Sequence, residues 1–404
     1  MVKPSQSSGS EPKRGISPDG EHDVLFEYAP PARLQRRLGL VAPDRFNIRH
    51  RALLALLVGW APLLLLAMAQ SLWLHTNVVT PLLKEVGVHA RYLIAAPLLV
   101  LAEVSCAPQL NAIIRNFAES GFVGEADRGR LQEAIGSTYR LLQSRIAEVL
   151  VIAFSYIVVA AAIHSHPSDQ VPPWATAGGI TPFYSPAGWW HMLVSLPLLL
   201  VLLFGWIWRL LLWTRLLWRI ARLDLQLTIS HPDHCAGLAF LGQSVRAFAI
   251  IAFALAAIVA GRSATIVLGG GRLPTPELYF NVGFLLGIVA VFVAPLLVFS
   301  PMLMKTWRRA IFQYGGLAER VGQIFERKWL TFRKHDEQVL EKPDFSATAD
   351  LYQVVSNAYE IRFVPLGLKD LAILVVAMLL PFLPVVLMTV PADVIWAQIR
   401  NLLL

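Results

Sequence analysis

The stretch LYFNVGFLLGIVAVFVAPLLVFSPMLM, residues 278–304, holds 27 residues and no Asp, Glu, Lys or Arg. A hydrocarbon core of about 30 Å needs roughly 20 apolar residues in an α-helix, so this segment is long enough to cross a membrane. The whole chain agrees, since 56% of its 404 residues are hydrophobic and only 15% are charged. Soluble domains have about 45–50% apolar and about 25% charged residues. The composition therefore predicts an integral membrane protein.

Six further stretches are long and apolar enough to be spans. Three of the seven carry a single charged residue inside them, namely Glu103, Glu148 or Arg262. All seven are accepted, because omitting one would reverse the side of every downstream loop. The predicted fold class is an all-α polytopic membrane protein with seven transmembrane helices. The predicted spans are residues 52–74, 92–111, 146–163, 190–208, 247–268, 278–304 and 371–392.

The basic residues are distributed very unevenly between the two sides of this topology. With the N-terminus inside, 30 of the 35 Lys and Arg residues lie on the inner side and four on the outer side. The positive-inside rule then predicts an N-in, C-out protein of the cytoplasmic (inner) membrane. Because orientation accounts for the net charge of +8, no nucleic-acid partner is predicted. The expected partners are an anionic inner leaflet and further copies of the chain.

The segments outside the spans suggest a domain organisation. Residues 1–30 are predicted to be a flexible cytoplasmic tail, with no apolar signal sequence in the first 24, and residues 31–51 a basic amphipathic segment. Residues 52–304 form a six-span region with cytoplasmic loops 112–145 and 209–246. A cytoplasmic helical segment at 305–370, the seventh span at 371–392 and an outer tail at 393–404 complete the chain. Strict alternation of apolar and polar residues over 223–230 predicts a short cytoplasmic strand.

Six arginines are candidates for contact with lipid headgroups. Three lie in the amphipathic segment before the first span, where a solvated linker is the alternative interpretation. Three lie at helical spacing after the fourth span, where they face either headgroups or a neighbouring acidic surface. These residues are Arg33, Arg36, Arg37, Arg215, Arg219 and Arg222.

The carboxylate of Glu103 is the strongest candidate for an ion or proton pathway. It lies about 16 Å from the outer start of its span, at a depth where a charge is costly. The alternative is a structural carboxyl that is hydrogen-bonded to Ser105, to Gln109 or to another helix. Glu148 is a second pathway candidate, although pairing with Arg145 at i, i+3 offers a structural explanation. Arg262 is the third, with snorkelling to the outer surface as the alternative.

Histidines are concentrated at the outer ends of the first four spans. Neutral imidazole is a common transition-metal ligand, so these histidines are candidates for an outer metal or pH-sensing site if the helix ends converge. The alternative is that they are amphipathic residues of the membrane interface. None lies at mid-membrane, which disfavours an intramembrane haem. The five residues are His75, His89, His164, His166 and His191.

The run SHPDHC, residues 230–235, gathers several metal-ligating side chains in the loop before the fifth span. His231, Asp233, His234 and Cys235 are candidates for a metal site or a contact surface. A second pair of ligands is not evident, and a Pro-initiated turn with Asp233 or Ser230 capping the next helix is the alternative. Cys235 and the other cysteine, Cys106, both fall on the reducing inner side, so no disulfide is predicted.

These features lead to three functional hypotheses. Prolines within the spans indicate bent helices, and together with Glu103 they favour a homo-oligomeric channel or transporter for an ion or small solute. The second hypothesis is a non-enzymatic scaffold or sensor that binds a partner through its basic cytoplasmic face. The third is a lipid-modifying enzyme. No nucleotide, nucleophile-elbow or zinc-protease motif is present in the sequence, so enzymatic chemistry has no support and no cofactor is assigned.

Overall fold

The computed structural model describes residues 47–75, 77–165, 172–176, 184–271, 273–330, 344–389 and 400. Seven of its helices are long and apolar enough to cross a membrane, which confirms the predicted all-α polytopic class. The helices of the described residues, numbered in chain order, are α1 (Asn47–Leu74), α2 (Val79–Lys84), α3 (Val86–Glu119), α4 (Glu125–Leu142), α5 (Arg145–Ser165), α6 (Pro186–Ile220), α7 (Ala239–Leu268), α8 (Thr275–Leu330), α9 (Asp344–Tyr359) and α10 (Leu368–Thr389).

The seven spans are α1, α3, α5, α6, α7, α8 and α10. One end of the bundle carries α4, the loop 221–238 and α9, and we call it the loop end. Of the spans, α7 lies at the centre, since 72% of its most apolar window is buried. Its alanines and Gly261 allow close approach, and a Cβ added at Gly261 would lie 2.4 Å from the Cβ of Ala90 on α3. Small residues at such contacts are how membrane helices pack without a hydrophobic driving force.

Prolines inside the spans coincide with irregular turns. A π-helical turn precedes Pro97 and another precedes Pro197, while Pro295 and Pro381 lie within 3₁₀ turns. Proline has no backbone N–H, and its ring crowds the preceding turn of the helix. The wider π-helical turns and the tighter 3₁₀ turns accommodate this change in hydrogen bonding.

In α1, Pro62 lacks the N–H that would normally bond the carbonyl of Val58. The indole Nε1 of Trp190 on α6 donates to that carbonyl at 3.1 Å. A polar group that would be exposed to hydrocarbon is thus satisfied by a neighbouring span.

The sixth span continues far beyond the apolar segment. Helix α8 runs for 56 residues to Leu330 with a 3₁₀ turn at Ala294–Phe299. Beyond this turn it packs against α9, where the indole of Trp307 donates to the carbonyl of Tyr359 and a Cβ at Gly315 would touch the Tyr359 hydroxyl. The two helices form an extended hairpin at the loop end.

The predicted strand at 223–230 is wrong, because the described part of the chain contains no strand. The segment begins in a bend at Leu223 and ends in a turn at Ile229 and Ser230. Within it Leu223 and Leu225 are buried, while Asp224 and Gln226 are exposed. A single antiparallel bridge joins Leu225 to Val123. The segment opposite is only the short turn between α3 and α4, which is too brief to continue a ladder. The alternation in the sequence therefore reflects side chains that are buried in turn against neighbouring helices or exposed, and not a β-strand.

Candidate functional site

A carboxylate held between two guanidinium groups joins three spans near the loop end. Glu103 lies on α3 and receives hydrogen bonds from Arg51 of α1 and Arg209 of α6. The Nη2 atom of Arg51 is 2.7 Å from Oε2 of Glu103, and Nη2 of Arg209 is 2.6 Å from Oε1. The three side chains are only 11%, 6% and 3% exposed, in the order Arg51, Glu103, Arg209. We call these three residues the arginine–glutamate cluster.

Aromatic and backbone groups fix the cluster in place. The guanidinium of Arg209 lies 4.7 Å from the ring centroid of Trp206, a cation–π contact. The indole of Trp206 in turn donates to the carbonyl of Leu99, one turn from Glu103 on α3. One turn beyond Glu103, the Cys106 thiol donates to the carbonyl of Ala247 on α7. The cluster is therefore supported by contacts that join α6 to α3 and α3 to the central span α7.

The sequence allows Glu103 three kinds of structural partner, namely Ser105, Gln109 or another helix. The amide of Gln109 donates to the carbonyl of Ser105, whereas the carboxylate of Glu103 bonds to other helices. The sequence places Arg51 and Arg209 just outside the predicted spans and does not reveal them as partners of Glu103. The available signal was depth, because both arginines stand beside a span boundary and a buried carboxylate requires a cationic or donor partner.

The other two pathway candidates are on spans that contribute no residue to the cluster, Arg262 on α7 and Glu148 on α5. Arg262 is on α7 at the end opposite the loop end, where its Nε is 2.7 Å from Oε1 of Glu277 on α8 and its side chain is 61% exposed. Glu148 is half-buried in the first turn of α5, where a negative charge is favourable to the helix dipole. The structure does not bring Glu103, Glu148 and Arg262 together.

Two of the five histidines predicted to be on the outer side are each engaged by an aromatic neighbour. Nδ1 of His89 accepts from the indole of Trp60 at 2.8 Å, and its Nε2 lies 3.1 Å from the Leu83 carbonyl. His191 is buried, with Nδ1 at 3.1 Å from the Tyr92 hydroxyl.

The other three of these five histidines are not placed with them by the described residues. His75 and His164 are exposed, and His166 lies outside the described residues. Over the described ranges, no three His, Cys, Asp or Glu side chains are grouped to hold a metal ion.

Glu85 is a titratable residue between α2 and α3, near His89, that the sequence analysis did not identify as a candidate. It is half-buried between α2 and α3. Burial raises the pKa of its carboxyl, opposed by the charges of Arg91 and His89 and by a hydrogen bond with Thr265. Thr265 also accepts from the N–H of Gly87 at 3.0 Å. The carboxyl thus helps to seat the start of α3 on α7.

The 230–235 loop is organised by the carboxylate of Asp233. Its Oδ1 accepts from the backbone N–H groups of Cys235 and Gly237, its Oδ2 accepts from that of Ala239, and His231 is 2.9 Å away. Burial opposes the charged form, but these hydrogen bonds outweigh it and hold the pKa of Asp233 below its usual value. Both carboxylate oxygens already accept hydrogen bonds here, which leaves little capacity for a metal ion.

The backbone of this loop takes an unusual course that joins two parts of the loop end. His234 and Ala236 have positive φ angles, as does Gly237, a conformation that non-glycine residues seldom adopt. The carbonyl of His234 accepts from the N–H of Arg362 at 2.7 Å, beyond α9. Cys235 is buried, and burial raises its pKa to about 11. Cys235 and Cys106 are both free thiols.

The arginines after the fourth span divide into two groups. Arg215 and Arg219 donate to the hydroxyl of Ser137 on α4, and Arg219 also pairs with Glu133 at 3.0 Å. Arg222 is exposed and its guanidinium lies 3.6 Å from the ring centroid of Trp218. Arg33, Arg36 and Arg37 lie outside the described residues.

The chain matches no protein-family model, no curated protein and no solved structure. The class of protein is defined by the seven apolar helices, which make it a polytopic integral membrane protein.

Proposed function

We propose that the protein is a channel- or transporter-type membrane protein that moves a small anionic solute, working as a homo-oligomer in the cytoplasmic membrane. The observation that carries the proposal is the arginine–glutamate cluster, which links α1, α3 and α6. Ionisable residues within membrane spans are costly to insert and commonly mark ion or substrate paths.

The chemistry of the cluster favours an anion over a cation. Two guanidinium groups offer about ten N–H donors, whereas one carboxylate accepts about four hydrogen bonds. The cluster is thus rich in donors, and the Nε of Arg51 is buried without a hydrogen-bond acceptor among the described residues. A carboxylate or phosphate group could compete with Glu103 for the same guanidinium face, since Arg suits bidentate recognition of such groups.

The orientation that we propose places the loop end in the cytoplasm. It follows from the excess of Lys and Arg on that side of the spans. The cluster would then lie in the inner part of the membrane, where an anion arriving from the cytoplasm reaches it first.

Flux measurements on reconstituted protein test the proposal. Proteoliposomes loaded with chloride or formate should release the anion, and the reversal potential should follow the anion gradient. Arg51→Gln should lower the flux at least tenfold, while Arg51→Lys should retain part of it. Arg262→Gln, at the other end of the bundle, is the matched control and should leave the flux unchanged. Vesicles that stay tight to every ion would overturn transport, and a cation-dependent potential would overturn the anion assignment.

The alternative function, a scaffold or sensor, has one observation in its favour. The hairpin of α8 and α9 leaves large apolar side chains exposed, with Phe312 83%, Leu330 76% and Ile324 60% accessible. Exposed apolar groups of this size commonly mark interaction sites. Crosslinking from an α8 cysteine such as Phe312→Cys distinguishes the cases. A soluble partner recovered at this position supports the scaffold, whereas adducts of the chain with itself alone count against it.

A further inference from the structure

A second polar contact joins the spans of the arginine–glutamate cluster at the end of the bundle opposite the loop end. The hydroxyl of Tyr92 on α3 lies 3.1 Å from Nδ1 of His191 on α6. Tyr92 precedes Glu103 by about three helical turns, or about 16 Å along α3, and both side chains contact α6. The interface of α3 with α6 therefore has polar groups at two levels, and the function proposed above uses only the level near the loop end.

Helix α1 takes part at both levels. Beside the pair of Tyr92 and His191, the hydroxyl of Ser195 on α6 donates to the carbonyl of Gly59 on α1 at 2.8 Å. A Cβ added at Gly59 would lie 3.1 Å from Cδ1 of Tyr92, so the tyrosine ring packs closely on α1. The spans α1, α3 and α6 thus meet around this pair as they meet around Glu103.

A π-helical turn carries each member of the pair. The turn Ala90–Ala95 of α3 contains Tyr92, and the turn His191–Ser195 of α6 begins with His191. Such turns are rare and frequently lie at functional sites. The prolines that follow them explain why each helix is irregular, but they do not explain why the irregular turns of two spans meet.

The indole of Trp174 packs on the pair from the segment between α5 and α6. Its ring centroid is 5.5 Å from that of His191, with the two rings nearly perpendicular, and Trp174 is only 2% exposed. The hydroxyl of Ser185 donates to the backbone carbonyl of Trp174 at 3.1 Å. Its indole N–H, in contrast, is buried without an acceptor among the described residues. A buried donor that lacks an acceptor is costly and requires an explanation.

The polar groups at this level are mainly hydrogen-bond donors. An indole N–H can only donate, and a neutral His191 that accepts from the Tyr92 hydroxyl carries its own proton on Nε2. The positive charge of Arg91, next to Tyr92 in the sequence, acts on both members of the pair. Donors near a positive charge suit a small anion, and neutral donors hold it weakly enough for it to leave, as conduction requires.

We propose that Tyr92, His191 and Trp174 form a second anion-binding position, on the same path as the arginine–glutamate cluster. The inference rests on the function proposed above, because it places both positions between the same three spans. The anion supplies the acceptor that the Trp174 indole lacks. Because Trp174 belongs to a loop and not to a span, a shift of its ring admits the ion without separating α1, α3 and α6.

Bromide located by anomalous diffraction in crystals of the full chain tests the site directly. Bromide is expected within hydrogen-bond distance of Nε1 of Trp174, and it should be lost in Trp174→Phe, which keeps a ring but removes the N–H. Wild-type crystals without bromide at Trp174 would overturn the inference, and bromide at the arginine–glutamate cluster alone would leave the proposed function intact. Bromide that persists in Trp174→Phe would be an adventitious ion only and would also overturn the inference. Bromide at Trp174 in a protein that passes no anion would support the site and overturn transport.

Chloride flux into proteoliposomes gives the second test. Trp174→Phe and Tyr92→Phe should each raise the half-saturating chloride concentration about fivefold, the effect of one neutral hydrogen bond, while the maximal flux is retained. Trp189→Phe and Tyr156→Phe are the matched controls, since both residues are exposed, and they should behave as the wild type does. A purely structural role would lower the maximal flux and leave the half-saturating concentration unchanged. An unchanged half-saturating concentration in either variant of the site would overturn the role of that residue in anion binding.

Discussion

The carboxylate of Glu103 bonds the guanidinium of Arg209 at 2.6 Å, across 106 residues of sequence and between two membrane spans. Arg51 makes the corresponding contact from a third span. Because all three side chains are almost completely buried, each depends on the others for its charge to be tolerated. The cluster is thus both the proposed anion site and a determinant of how α1, α3 and α6 associate.

Removing the carboxylate should destabilise the bundle. Glu103→Gln leaves two buried guanidinium groups without their anion, and breaking a buried ion pair costs about 3–5 kcal/mol. The measurement is thermal or denaturant unfolding of the detergent-solubilised protein. Glu277→Gln breaks a pair whose basic partner, Arg262, is 61% exposed, and it should cost at most about 1 kcal/mol. Equal losses of unfolding free energy in the two variants would show that burial does not make the cluster more important for stability than the pair of Arg262 and Glu277.

The contact between α7 and α3 predicts intolerance of a single methyl group. Gly261→Ala places a Cβ 2.4 Å from that of Ala90, so the two spans must separate, at a cost of about 1–3 kcal/mol. Gly283→Ala adds the same methyl group where no atom lies within 4 Å and should not lower stability. Unfolding transitions of the two variants give the comparison, and a Gly261→Ala protein as stable as Gly283→Ala would contradict this packing.

The hydrogen bonds to Asp233 predict a stability component that depends on pH. A carboxyl whose folded pKa is below its unfolded value near 3.8 stabilises the fold at higher pH, and this contribution disappears as pH falls through the folded pKa. Limited proteolysis of the 230–239 loop should therefore accelerate below about pH 3.8. Asp233→Asn should be cleaved faster at neutral pH and should show less acceleration in acid. Identical pH profiles for the two proteins would refute the role of this carboxylate.

The proposed orientation predicts which side of the membrane each end faces. In a background of Cys106→Ser and Cys235→Ser, Leu273→Cys should react with an impermeant maleimide on intact cells. Glu319→Cys, on α8 beyond the membrane, should react only after permeabilisation. The reversed pattern would place the loop end outside the cell and invalidate the positive-inside assignment for this chain.

The spans were predictable because hydropathy and length are local properties of the sequence. The predicted span 52–74 lies within α1, and 190–208 lies within α6. Their ends were less predictable, because α6 continues as a helix beyond residue 208 to Ile220, through three arginines and two tryptophans. Helix ends outside the hydrocarbon depend on packing against α4, which hydropathy does not report.

The contacts of the candidate site were not predictable in the same way. Glu103 was identified from its depth, but its partners Arg51 and Arg209 lie 52 and 106 residues away, and no local pattern encodes that pairing. The alternation at 223–230 is a local pattern, but it predicted a strand that the structure does not contain. Its period of two describes burial of Leu223 and Leu225, whereas a strand also requires a partner of similar length.

Because α8 is long, a small tilt of this helix at its 3₁₀ turn would displace its far end by a large distance. Its 3₁₀ turn ends at Phe299, and the helix continues for another 31 residues to Leu330, a distance of about 46 Å. Short 3₁₀ stretches within a helix commonly mark hinges. A tilt of about 10° at this turn would carry the tip of α8 through about 8 Å by the same helical rise. The hairpin is therefore a lever, and its tip is the most sensitive point at which to detect motion of the sixth span.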